Sequence, residues 1–174
     1  MDFEKVLATR LTTRDYKRNE VSDENIESLI QAAKLAPLAM GDFSTTHLTV
    51  IKNQEILETI RQGVLLTGKS GEKMDPFYGA SLLMIVSTTD LSEDHIEYAN
   101  AACIIENILL EATFLGLGST YIWGCLRKLR KNRELLDLLS LPEGSEILSA
   151  AAVGHPTEPL KVREEREEID VKIL

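Results

Sequence analysis

The chain has 174 residues, 44% of them hydrophobic and 27% charged, with a formal net charge of −9. That length and balance predict one soluble domain, residues 1–174, with a sizeable core. The acidic charge argues against nucleic acid as the main partner, because a phosphate backbone calls for a basic footprint. A small phosphorylated ligand stays open, since two or three well-placed cations suffice for it.

Phe3, Val6 and Leu7 recur at helical spacing, so residues 2–9 predict a short helix leading to Arg10-Leu11-Thr12-Thr13-Arg14-Asp15-Tyr16. Two arginines four apart with hydroxyls between them suit a phosphorylated ligand, because Arg offers a planar fork of donors and Thr a small hydroxyl. The same pattern also suits a solvated surface. Ser22-Asp23-Glu24 reads as a capped helix start, with Ile26, Leu29, Ile30, Ala33 and Leu35 as the buried face and Ala36-Pro37 as the stop. Pro37 to Thr46 is too irregular for an element and too apolar for a solvated linker.

His47 to Lys52 predicts a strand and Gln54 to Gln62 a helix. Gly63 to Lys73 reads as a loop. Ser81 to Ser87 is an apolar run of strand length, suited to cover on both faces. Asp94 to Leu115 is the longest helical stretch and is apolar over most of its surface, with Glu93, Glu97, Asn100, Asn107 and Glu111 on one narrow stripe. Such a helix belongs at the centre of a fold or in a subunit interface.

Gly116-Leu117-Gly118-Ser119-Thr120 imitates a dinucleotide fingerprint, but position 121 is Tyr and the order is helix to strand, so Gly116 reads as a helix cap. Tyr121 to Cys125 predicts a strand ending at the single Trp, beside Gly124, where a ring system or another backbone has room to approach. Lys131 to Leu139 predicts a helix, and Ile147 to Gly154 a strand of small residues. The charged tail reads as a solvated end, although Ile169 to Ile173 alternates like a strand able to add to a sheet edge, in this chain or another.

Cys103 and Cys125 have no metal or redox spacing and read as buried small hydrophobes. His47, His95 and His155 lie far apart, so no metal site is legible. No signal peptide or membrane-length apolar run is visible, and the expected location is cytoplasmic. Helices alternating with a few strands around a central helix predict an α/β or α+β, three-layer domain.

Four segments, in order, resemble the FMN-dependent nitroreductase family. They are the Arg10–Tyr16 segment, Ala32-Ala33-Lys34-Leu35-Ala36-Pro37, Asn107 to Ser119, and Ala152-Val153-Gly154-His155-Pro156. The resemblance implies a central, mostly antiparallel sheet flanked by helices, and a homodimer with two FMN sites built from both subunits. It implies that Arg10, Thr12 and Arg14, with Leu11 among them, hold the phosphate, ribityl chain and pyrimidine edge. Pro37, Leu38 and Ala39 then pack on the isoalloxazine from the opposite subunit. Trp123 and Gly124 match the backbone near flavin N5, and Lys161 or Arg163 returns to the phosphate, with the tail from about residue 157 reaching the partner. The implied activity is NAD(P)H oxidation by alternating half-reactions, with a nitroaromatic, quinone or similar acceptor and no catalytic side chain, because the cofactor carries the chemistry. Gly41 to Thr46 departs from the family's loop sequence, and Leu38 stands where Ser is usual. A flavin-binding or flavin-sensing module without turnover is the alternative on the same fold.

Overall fold

In the computed structural model, which describes residues 1–163 and 169–174, local capping chemistry starts most of the helices. The Asp2 carboxylate accepts the Lys5 N–H at the head of α1 (Phe3–Thr9), and Ser22 caps α2 (Asp23–Lys34). A single 3₁₀ turn, Ala39–Gly41, precedes β1 (Thr46–Ile51). Asn53 caps α3 (Gln54–Gly63), which is followed by a two-stranded hairpin of β2 (Leu66–Thr67) and β3 (Lys73–Met74). All of this hairpin but Met74 lies in the stretch expected to be a plain loop, since glycines and polar residues hide so short a pairing.

The fully buried β4 (Leu82–Thr88) leads to α4 (Ile96–Phe114), then β5 (Gly118–Ile122), α5 (Leu126–Leu129), α6 (Arg133–Leu139) and β6 (Glu146–Gly154). Helix α4 ends in a Schellman motif. The Leu117 N–H reaches the Ala112 carbonyl at 2.7 Å, the Gly116 N–H reaches Thr113 at 3.1 Å, and Gly116 takes φ +75°. The cap expected there is present. The strand after it starts earlier than Tyr121 and stops at Ile122, so Trp123 and Gly124 lie in the turn into α5, an element the sequence reading did not contain.

The four long strands pair in the order β1-β4-β6-β5, all antiparallel, with a bulge in β6 opposite Val86 and Ser87. On one face α2 and α4 bury Leu29, Ile105, Ile108 and Ala112 against Met84, Val86 and Ala151. On the other, α3, α5 and α6 bury Leu57, Ile60, Leu126 and Leu135 against Leu83, Ile85 and Ala150. This is the expected three-layer α/β domain. The polar stripe of α4 fastens its neighbours: Asn107 Nδ2 donates to the Ala32 carbonyl at 3.0 Å, and Asn100 Oδ1 accepts the Ala39 N–H at 2.9 Å.

Two expectations need correction, and a third, that of a strand in the tail, finds no pairing within this chain. Leu35 is 80% exposed rather than buried, because it stands just past the last turn of α2 and points beside Phe3 and Phe114 into an open apolar groove. Cys103 lies on the exposed side of α4, whereas burial pushes the Cys125 thiol up to about 11. Residues 169–174 form no strand within this chain, and Ile169, Val171 and Ile173 are all exposed. Part of the tail expected to reach a partner, residues 164–168, lies outside the described residues.

Candidate functional site

The Arg10–Tyr16 segment lies along the free edge of β5. Thr12 forms a parallel bridge with Ser119, and the Thr13 N–H donates to the Ser119 carbonyl at 2.9 Å. That approach requires Gly118, since a Cβ there would stand 2.7 Å from Thr13 Cγ2. Farther along, the Tyr16 hydroxyl meets Thr120 Oγ1 at 2.9 Å, and Thr120 in turn donates to the Thr13 carbonyl. Burial holds the Tyr16 phenol protonated well above its ordinary range. The other side of the segment is closed by the chain leaving β6, where the Lys17 N–H donates to His155 and the Thr157 hydroxyl to Asp15 Oδ2 at 2.9 Å.

Between these two segments opens a cleft of about 380 Å³, lined among others by Leu11, Thr12, Arg14 and Lys161. Arg14 is exposed. Among the described residues its guanidinium makes no hydrogen bond or ion pair, and its one partner is the Tyr78 ring, 5.9 Å from Cζ to the ring centre. It therefore offers a full set of donors to a ligand. Arg10 turns instead toward α4, where Nε stands 3.9 Å from Glu106 Oε1. The Arg163 N–H donates to the Ala8 carbonyl at 3.1 Å, which brings the tail to the end of α1, two residues from Arg10.

Past the far end of β5, Trp123 stands four residues from Ser119, about 13 Å at the usual strand rise. There Trp123 is half exposed, with its ring edge-on to Tyr98 at 5.8 Å and the Arg130 guanidinium 5.9 Å above it. Arg130 also holds the bulged end of β6 through the Ile147 and Leu148 carbonyls. A Cβ on Gly124 would meet nothing within 4 Å, so space over this turn is open.

Pro37, Leu38 and Ala39 do not line the cleft. Pro37 is exposed, the Leu38 side chain is buried in the core of its own chain, and Ala39 is tied to Asn100. Next to them Met40 is fully exposed at φ 58°, a conformation uncommon for a residue with a long side chain. The structure thus brings Leu11, Thr12, Arg14 and Lys161 together, with Arg10 and Arg163 adjoining. It puts Trp123 and Gly124 at the other end of the same strand edge and leaves residues 37–39 elsewhere. Tyr78, Thr120, Gly118 and Glu106 complete the site without having been singled out. Gly118 and Thr120 left a trace in the sequence, as part of a stretch that reads as something else.

The nitroreductase family model matches residues 7–155. The chain belongs to the nitroreductase family. It is 29% identical over 154 residues to an Archaeoglobus fulgidus protein provisionally described as an NADH dehydrogenase/NAD(P)H nitroreductase, covering 87% of this chain and 84% of that one. A Methanothermobacter thermautotrophicus protein of the same description is 30% identical over 166 residues, with 91% and 79% covered. Among solved structures, a Bacteroides fragilis nitroreductase with bound FMN superposes with a TM-score of 0.81 at 24% identity, over 100% of this chain and 99% of that one. A Desulfitobacterium hafniense nitroreductase with bound FMN gives 0.80 at 24% identity, over 99% and 100%. These likenesses agree with the antiparallel sheet between two helical layers. Among the described residues no helix is long and apolar enough to cross a membrane.

Proposed function

We propose that the chain is an FMN-dependent NAD(P)H oxidoreductase that delivers electrons to a small acceptor such as a nitroaromatic or quinone. One observation carries this reading. Arg14 stands with its donors unengaged in a cleft shared with Thr12 and Lys161, at one end of a strand edge whose other end offers open backbone at Trp123 and Gly124. Unengaged donors, a hydroxyl and a lysine along one part of the edge, with open backbone farther on, suit a ligand that joins a planar ring bearing carbonyl acceptors to a hydroxylated, phosphorylated chain. The relatives described as NAD(P)H nitroreductases and the FMN-bound structural neighbours support the choice of cofactor.

When bound, FMN would supply the hydride-transfer chemistry between NADH or NADPH and the acceptor. The chain's own residues bind and orient. Arg10, released from its long contact with Glu106, holds the phosphate together with Lys161 or Arg163. Thr12 and the backbone at Leu11 face the ribityl chain, and Arg14 donates to the pyrimidine edge. The turn at Trp123 and Gly124 presents backbone donors toward the redox nitrogen, with Arg130 and Tyr98 fixing the indole.

The working unit is a homodimer. Phe3, Leu35, Leu110 and Phe114 line a groove of about 370 Å³ between α1, α2 and α4, and Leu35 and Phe3 are 80% and 66% exposed. Apolar surface of that kind calls for cover, and a second copy brings its Pro37 to Ala39 segment to the first copy's flavin. The loop Gly41 to Thr46, which departs from the family's sequence, motivates a second reading, a flavin-binding module without turnover. Steady-state oxidation of NADH and NADPH with a panel of nitroaromatics and quinones separates the two. Rapid turnover with any acceptor supports the enzyme, and none with flavin bound supports the module.

A further inference from the structure

The turn Asp75–Gly79 packs under the arginine segment and is held more firmly than a surface turn needs. Asp75 Oδ1 accepts the Phe77 N–H at 2.8 Å and Oδ2 the Gly79 N–H at 2.7 Å. The same Oδ2 lies 3.1 Å from Arg61 Nε on α3, and Arg61 Nη2 donates to the Ala80 carbonyl at 3.0 Å. Phe77 is buried in the lower core, and Ser81 Oγ ties the end of the turn to the Asn19 carbonyl at 2.8 Å. So anchored, Tyr78 sits at φ 57°, a left-handed conformation that a bulky residue keeps only when its surroundings impose it. The outcome of that strain is the placement of one half-buried ring beneath the guanidinium of Arg14.

We propose that Tyr78 is a positioning residue for Arg14, and through it a determinant of affinity for the pyrimidine edge of the flavin. The inference rests on the flavin reading given above. An exposed arginine samples many rotamers, and a ligand must freeze them at a cost in affinity. The face of the Tyr78 ring attracts the guanidinium and occupies none of its hydrogen-bond donors, so part of that cost is removed before the ligand arrives. The chemistry that profits is a planar ring edge bearing carbonyl acceptors. The phosphate, assigned to Arg10 and the tail cations, is not involved, so the effect is shared by riboflavin and FMN.

The test is a double-mutant cycle on the full chain, read as dissociation constants for riboflavin and for FMN from flavin fluorescence, with a thermal melt of each variant. Tyr78→Leu should weaken both ligands about two- to fivefold, the worth of an exposed cation–π contact. Tyr78→Phe, which keeps the ring face, should restore wild-type binding. With Arg14 already changed to Ala, adding Tyr78→Leu should change nothing further. If Tyr78→Leu fails to fold, Tyr78→Met takes its place in the cycle. Equal losses with and without Arg14, or no loss in either, overturn the positioning role while leaving the flavin reading intact. Wild-type protein that binds neither ligand overturns both.

Discussion

Thr120 is the joint between the arginine segment and the sheet, and its removal should cost more than the loss of the tyrosine it serves. Its hydroxyl donates to the Thr13 carbonyl, so the Tyr16 hydroxyl, 2.9 Å away, is the donor in their contact. Thr120 is 4% and Tyr16 6% exposed, so water does not readily replace either bond. Tyr16→Phe removes one donor and leaves the Thr120 bond to Thr13 in place, a loss of about 1 kcal/mol. Thr120→Val keeps the shape but strands two groups, the Tyr16 hydroxyl and the Thr13 carbonyl. At about 1–3 kcal/mol for each stranded buried group, and with Thr13 only half-buried, the cost should be about 2–4 kcal/mol.

Urea unfolding monitored by circular dichroism measures both costs. The pair also has a pH signature. Because burial raises the Tyr16 pKa above its ordinary 10.0, the unfolded chain loses that proton first, and the stabilisation present below pH 10 is lost progressively as pH rises beyond it. Cys125, raised from 9.0 to about 11, adds a loss of the same sign that begins near pH 9. Tyr16→Phe should therefore flatten the alkaline limb by up to about 1.4 kcal/mol per pH unit above 10. Equal costs for the two substitutions, or an alkaline limb unchanged in Tyr16→Phe, would refute this account of the joint.

Other substitutions probe the rest of the site. Gly118→Ala pushes a methyl into Thr13, and it should weaken flavin binding at least tenfold in a protein that still folds, as read by flavin fluorescence. Arg10→Ala should weaken FMN about ten- to a hundredfold, the worth of a charge-assisted bond, and leave riboflavin binding unchanged. Leu35→Glu places a charge in the apolar groove and should shift sedimentation from dimer to monomer; a dimer that persists would exclude that groove from the interface.

Periodic segments were legible in the sequence because one physical cause dominates each of them. Helix α2 shows its cap and stripe, α4 its apolar girth, β4 its apolar run and β6 its row of small residues. Leu35 was misplaced because the helical period continues one residue past the point where the backbone leaves the helix. The hairpin of β2 and β3, with two residues in each strand, and the four-residue α5 are too short to carry a periodic signal. For the site, residue type announced Arg14 and Trp123, but not what holds them. Tyr78 stands 64 positions from Arg14, and Thr120 stands 104 from Tyr16, so their contacts appear only once the sheet is formed.

The measurement that bears most directly on the central claim is the visible spectrum of the purified protein, with the released chromophore identified and counted per chain. A flavin band is expected, with FMN as the released species and close to one per chain after reconstitution. Colourless protein that takes up no added FMN would contradict it and make Arg14, Thr12 and Lys161 features of a surface cleft.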